Sequence, residues 1–142
     1  MNDAATPFDL VREAPALLSV VLPVYNERHV LEELARRVGL AACRAAEAYE
    51  IVFVDDGSSD GSGLALDRLA AKNPTVRVIH LARNFGHQAA VQAGLAHAAG
   101  DCVMLMDSDL QDVPEAIPQF VEKWRQGYDV VYAVRCKRKE RW

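Results

Sequence analysis

The chain has 142 residues, of which 51% are apolar and 25% charged, and its net charge is -4. That suits one domain with a real core and excludes a disordered chain, a collagen-like chain and a disulfide scaffold. The acidic balance supplies no field that draws the chain to nucleic acid, so no nucleic-acid partner is expected.

Residues 1–16 carry Pro7 and Pro15 without periodicity and predict a flexible N-terminal arm. The arm has acids and prolines where a signal peptide has a basic end and an apolar run. No stretch approaches the roughly 18 apolar residues of a membrane span. Cys43, Cys102 and Cys136 stand apart with no C-x-x-C and read as free thiols of a reducing compartment. The expected location is cytoplasmic.

From residue 17 apolar runs alternate with helical patterns. Leu17 to Pro23 predicts a buried strand. Residues 29–48 predict a helix with Leu31, Leu34, Val38 and Ala41 on one face. Glu50 to Val54 predicts a second strand. A helix over 63–72 is stopped by Asn73-Pro74. Val76 to Leu81 predicts a third strand, and the Ala-rich stretch from His87 to Ala98 a helix. Cys102 to Met106 predicts a fourth strand. Pro114 to Gln126 is helical, with Ile117, Phe120, Val121 and Trp124 spaced i, i+3, i+4, i+7. Val130 to Val134 predicts a fifth strand. Continuous apolar strands alternating with helices indicate an α/β fold, a mostly parallel sheet with helices on both faces.

Such sheets bind ligands at the carboxyl ends of their strands. Three loops on that edge carry acids, amides and hydroxyls: Tyr25-Asn26-Glu27, the run from Asp55 to Gly61, and the run from Asp107 to Asp112. One such loop is ordinary turn chemistry, but three on one edge point to a ligand site. In an extended segment Asp107, Asp109 and Gln111 project to one side. Two carboxylates and an amide oxygen at one point suit Mg²⁺ or Mn²⁺, with positions left for water and phosphate. Asp112 alone could cap the helix near Pro114.

Other signatures are missing. There is no P-loop, G-x-G-x-x-G fails after Gly63, and no G-x-S-x-G elbow exists. His29, His80, His87 and His97 lack H-E-x-x-H spacing and read as surface or helix residues. A receiver-type phosphoacceptor domain wants an acid pair after the first strand, where Tyr25-Asn26-Glu27 stands instead.

The ordered set P-V-Y-N-E, V-D-D-G-S-S-D-G, R-N-F-G-x-x-A-A-x-x-A-G-L and D-S-D-L-Q-D-x-P-E resembles the family 2 glycosyltransferases of GT-A fold. The match runs from about Leu18 to Arg138. Arg83-Asn84-Phe85-Gly86 and the D-x-D-L-Q-D form resemble the polyprenyl-phosphate branch, which includes dolichyl-phosphate mannose synthases and undecaprenyl-phosphate sugar transferases. The resemblance implies an inverting transfer of a sugar from a UDP- or GDP-sugar to polyprenyl phosphate at the cytoplasmic membrane face, in cell-envelope chemistry. Pro23, Tyr25 and Glu27 then line the nucleotide pocket. Asp56 reads the base edge with Asp55 beside it, and Arg83 lies near the nucleotide sugar. Asp107 and Asp109 are the metal-binding D-x-D pair, Gln111 is a further metal ligand, and Arg135 holds the acceptor phosphate.

The implied organisation is an arm over 1–16, a nucleotide-sugar-binding domain over 17–135 and a basic tail over 136–142. Relatives continue past this point, so the chain reads as the donor half of a longer enzyme, able to bind donor and poor at transfer alone. The alternatives are a non-catalytic nucleotide-sugar-binding module that needs a partner or the missing half, and a family 2 enzyme with a polysaccharide acceptor. Self-association is a further possibility left open.

Overall fold

The computed structural model describes residues 10–134. Four parallel strands form one sheet in the order β3-β2-β1-β4. They are β1 (Leu17–Val24), β2 (Ala48–Asp55), β3 (Val76–His80) and β4 (Cys102–Leu105). The helices are α1 (Leu31–Ala42), α2 (Ser62–Lys72), α3 (His87–His97) and α4 (Ile117–Arg125). Short 3₁₀ turns over Arg28–Val30 and Pro114–Ala116 lead into α1 and α4.

The sheet is covered on both faces, as the continuous apolar strands require. On one side Leu18, Val20, Leu22 and Val24 of β1 join Ile51 and Phe53 of β2 in a core with α1, α2 and α4. The helical stripe Leu31, Leu34, Val38, Ala41 is buried there, as its spacing predicts. Burying each such aliphatic side chain contributes about 1.5–3 kcal/mol. On the other side lies α3, whose alanines make it thin. A Cβ on Gly94 would stand 2.3 Å from Val21 Cγ1, so only a bare α-carbon lets α3 lie this low on β1.

Register carries the sheet's order to its carboxyl edge. Val24 pairs with Asp55 across β1 and β2, and Asp55 pairs with His80 across β2 and β3. On the other flank Val21 pairs with Leu105, and Met106 N–H extends that ladder to Val21 O at 3.0 Å. The loops after β1, β2 and β4 therefore emerge side by side.

Three expectations change. The predicted fifth strand over 130–134 is not a strand. Val130 and Tyr132 are 78% and 77% exposed, and a cavity of about 680 Å³ separates this segment from β4. β-branched residues have strand propensity only where a neighbour can pair with them, and here none does. The helix predicted over 29–48 ends at Ala42, because the chain must turn to bring Ala48 opposite Leu17. Of the arm predicted flexible over 1–16, residues 10–16 are tied down. Arg12 lies over the Trp124 ring at 4.9 Å, donates to the Trp124 and Tyr128 carbonyls at 2.8 and 2.9 Å, and pairs with Asp129.

Candidate functional site

The chain passes from β1 to β2 on one side and reaches β4 on the other, so the sheet has its switch point at β1. The crevice outside the carboxyl ends there is where α/β sheets bind ligands. A cavity of about 210 Å³ lies at this point, lined by Pro23, Val24, Tyr25, Asp56, Asn84, Gly86, His87 and Ala90. Three sequence-predicted residues, Pro23, Tyr25 and Asp56, thus meet in one place.

Asp56 is 4% exposed and acts on the Arg83–Gly86 loop. The Phe85 N–H donates to its Oδ1 at 2.8 Å and the Gly86 N–H to its Oδ2 at 3.1 Å. Next to it Gly57 has φ +71, and a Cβ there would stand 2.4 Å from the Arg83 carbonyl carbon and the Asn84 nitrogen. The D-D-G sequence is therefore a clamp: glycine allows the two backbones to touch and Asp56 ties them. Arg83 is exposed, with its guanidinium 4.6 Å over the Phe85 ring.

Asp55 faces away from the cavity. It accepts the Ser58 N–H at 3.0 Å, and its other oxygen lies 3.1 Å from His80 Nδ1. His80 Nε2 is 2.7 Å from Asp67 Oδ1. The Asp67 hydrogen bond raises the His80 pKa, burial opposes the rise, and Asp55 adds to it. Asp55 is thus a support held by an imidazole, one layer beneath its predicted place.

The first loop is sewn to the second. Asn26, at φ +53, accepts the Ser59 N–H on Oδ1 at 2.8 Å, while its own N–H donates to Ser58 Oγ at 3.0 Å. The Glu27 N–H donates to Ser62 Oγ at 3.1 Å, and Ser62 in turn donates to Asp60. Asn and Asp side chains suit such turns because they mimic a backbone partner. Glu27 is half-buried beside this seam rather than on the cavity wall. The sequence reading assigned Asp60 and Ser62 no role, although S-S-D-G-S between strand and helix is a visible turn signal.

The Asp107–Asp112 loop after β4, expected to hold a metal, is bent, not extended. Leu110 has φ +63, a strained position for a branched side chain. The Gln111 N–H donates to Asp109 Oδ1 at 3.0 Å, and the Asp107 N–H to Asp112 Oδ2 at 3.1 Å. Asp112 therefore closes the loop instead of capping the following helix, which has no side-chain cap. The bend breaks the side-to-side alternation on which the one-sided projection of Asp107, Asp109 and Gln111 rested. Gln111 lines the larger cavity beside β4, which neither Asp107 nor Asp109 lines. Asp107 is partly and Asp109 fully open to solvent on the loop, and hard carboxylate oxygens suit Mg²⁺ or Mn²⁺. Among the described residues no group of three His, Cys, Asp or Glu side chains could hold a metal ion.

His87 is the site residue that sequence reasoning missed. It lines the cavity, and its Nε2 lies 3.9 Å from Asp107 Oδ1. Its position directly after R-N-F-G was the available signal. Arg135 and the basic tail fall outside the described residues.

The sequence matches the profile of glycosyl transferase family 2 over residues 19–142. The chain belongs to this family. Over 121 residues it is 47% identical to the uncharacterized glycosyltransferase YkcC of Bacillus subtilis, covering 85% of this chain and 38% of that protein. The family 2 chain thus spans well under half the length of this relative. Two solved structures share its α/β sheet and the GT-A glycosyltransferase fold. One is the mannosyltransferase PcManGT from Pyrobaculum calidifontis in complex with GDP-Man and Mn²⁺, with 26% identity and a TM-score of 0.59 over 74% of this chain and 31% of that one. The other is S. aureus TarS 1-349 in complex with UDP, with 26% identity and a TM-score of 0.53 over 65% of this chain and 27% of that one. No helix among the described residues is long and apolar enough to cross a membrane.

Proposed function

We propose that this family 2 domain binds a nucleoside diphosphate sugar at the β1 switch point and presents the sugar for inverting transfer to polyprenyl phosphate. The observation that carries the reading is the cavity walled by Pro23, Tyr25 and Asp56 and joined to Asp107 through His87. Its volume of about 210 Å³ is below that of a whole-ligand pocket. It takes one end of the donor, the base, and leaves the diphosphate over the metal loop. Of the three metal residues expected from the sequence, Asp107 and Asp109 would offer carboxylate oxygens to Mg²⁺ or Mn²⁺, while Gln111 lines the other cavity. A cation bound there would supply positive charge for the leaving diphosphate. GDP-Man with Mn²⁺ in PcManGT and UDP in TarS support a nucleotide-sugar donor and leave the base open.

Support for a polyprenyl-phosphate acceptor comes from R-N-F-G and D-x-D-L-Q-D. A lipid phosphate is already anionic and needs a cation rather than a strong base, a role that falls to Arg135, whose guanidinium matches phosphate geometry. The basic run over 136–142 also favours an anionic cytoplasmic membrane face.

A thermal-shift panel of UDP- and GDP-sugars, with and without Mn²⁺, tests the donor reading. One nucleotide class should raise the melting temperature, and only with the metal. No shift with any of them would overturn it. For the acceptor, Arg135→Ala in the protein as its gene encodes it should abolish transfer to polyprenyl phosphate and spare nucleotide binding. Undiminished transfer would remove Arg135 from that role.

A further inference from the structure

His80 ends β3 with both ring nitrogens on carboxylates: Nδ1 lies 3.1 Å from Asp55 Oδ2 and Nε2 lies 2.7 Å from Asp67 Oδ1. β2 and α2 pack against β3, and each brings one charged group to the ring, Asp55 from β2 and Asp67 from α2. Gly63 and Asp67 stand i, i+4 on α2 and so share a face. A Cβ on Gly63 would lie 2.8 Å from Asp55 Oδ2 and 3.5 Å from His80 Cε1. The first turn of α2 is thereby seated on the Asp55–His80 pair, and its next turn is tied to the far side of the ring.

Carboxylates only accept, so both contacts hold only if both ring nitrogens donate, and only imidazolium carries two N–H groups. A neutral ring serves one carboxylate and turns a lone pair on the other. Burial decides which one is kept: the Asp55 side chain is 8% exposed and that of Asp67 57%. A buried carboxylate that loses its donor cannot turn to water, whereas an open one can. The remaining proton therefore stays on Nδ1 with Asp55, and Asp67 lets go.

The ring reaches the cavity wall by two routes. Ser62, the first residue of α2, accepts the Glu27 N–H at 3.1 Å, so α2 holds the loop that carries Tyr25. Asp55 precedes the cavity-lining Asp56 and holds the Ser58 N–H, while Ser58 Oγ accepts the Asn26 N–H. A neutral ring also leaves the Asp55 charge unbalanced beside Asp56, where an anionic ligand is repelled by it.

We propose that His80 is a proton-operated latch: charged, it ties α2 to the β2–β3 edge and favours an anionic nucleotide in the cavity; neutral, it frees Asp67 and weakens that binding. The coupling to nucleotide rests on the donor reading above. Linkage makes it reciprocal, so bound nucleotide must tighten the hold of His80 on its proton.

Nuclear magnetic resonance of ¹⁵N-histidine-labelled protein, titrated across neutral pH with and without UDP or GDP in Mn²⁺, tests both parts. The parent should carry protons on both His80 nitrogens in acid and keep the one on Nδ1 as the ring titrates. Protection of the Glu27 amide against exchange should fall with the same midpoint. The nucleotide that binds should bind several-fold more weakly once His80 is neutral, and should move the His80 midpoint upwards. His80→Gln should lack this step in affinity. His87 and the terminal phosphate titrate in both proteins, so the difference between them reads His80. A neutral ring with its proton on Nε2, or Glu27 protection indifferent to the His80 titration, overturns the latch in the parent alone, whether or not the variant folds. A His80 midpoint that bound nucleotide leaves unmoved overturns the coupling. If neither nucleotide binds at any pH, the donor reading fails and the coupling with it, while the Glu27 amide still decides the latch.

Discussion

Asp56 lines the cavity, and its carboxylate accepts the Phe85 and Gly86 amides. A hydrogen bond to a charged group contributes about 1.5–3 kcal/mol, so Asp56→Ala should lose roughly one to two decades of nucleotide affinity. The same change should speed hydrogen exchange at the Phe85 and Gly86 amides, which lose their acceptor. Unchanged affinity with fast exchange would make Asp56 a loop anchor alone. At His80 the sign of the pH effect follows from its pKa, raised above 6.5 by Asp67, against burial, and further by Asp55. A group with a raised folded pKa stabilises fully below its unfolded value, and that stability is lost as pH climbs through the folded one. The melting temperature of the parent should therefore fall as pH rises from about 6.5 through the raised value. His80→Gln should flatten that slope, and an identical slope in the variant would contradict the assignment.

At the scale of elements, the amino edge of the sheet holds a buried carboxylate that fixes where α3 ends and β4 begins. Glu50 accepts the Ser19 hydroxyl at 2.7 Å, the Ala99 N–H at 2.8 Å and Arg77 at 2.7 Å. Burial pushes its pKa up, but these donors outweigh that and leave it below the usual carboxylate value. Glu50→Ala strands several of these donors and should cost about 1–3 kcal/mol, read as a lower denaturation midpoint at pH 7. A midpoint equal to that of the parent would show that the α3–β4 junction stands without it. The strands and the inward stripe of α1 were legible in the sequence, because buried strands and amphipathic helices write their burial into spacing. The segment over 130–134 misled because propensity does not say whether a partner strand exists. The bend at Leu110 was equally invisible, since its strain is set by loop contacts rather than by its own type.

Across the whole molecule, the meeting of the loops after β1, β2 and β4 was legible, because parallel topology sends strand ends to one edge. Their division of labour was not. Asp55 looks like a pocket residue in one dimension and is a brace in three, as are Asp60 and Ser62 beside it. His87 looks like a helix residue and stands between the cavity and Asp107. The long-range hydrogen bonds that Asn26 exchanges with Ser58 and Ser59, and those that Asp56 accepts from the Phe85 and Gly86 amides, make that division. Local spacing carries no trace of them. The donor site proposed above would couple the cavity to the Asp107 loop, so nucleotide and cation should bind together. Isothermal titration of UDP and GDP into the parent and into Asp107→Asn, each in Mn²⁺ and in EDTA, measures that coupling. The parent should bind one nucleotide in Mn²⁺ and lose at least tenfold in EDTA, with Asp107→Asn weak in both. Equal affinity with and without metal, or a variant as tight as the parent, would contradict a metal-bridged nucleotide site at this edge.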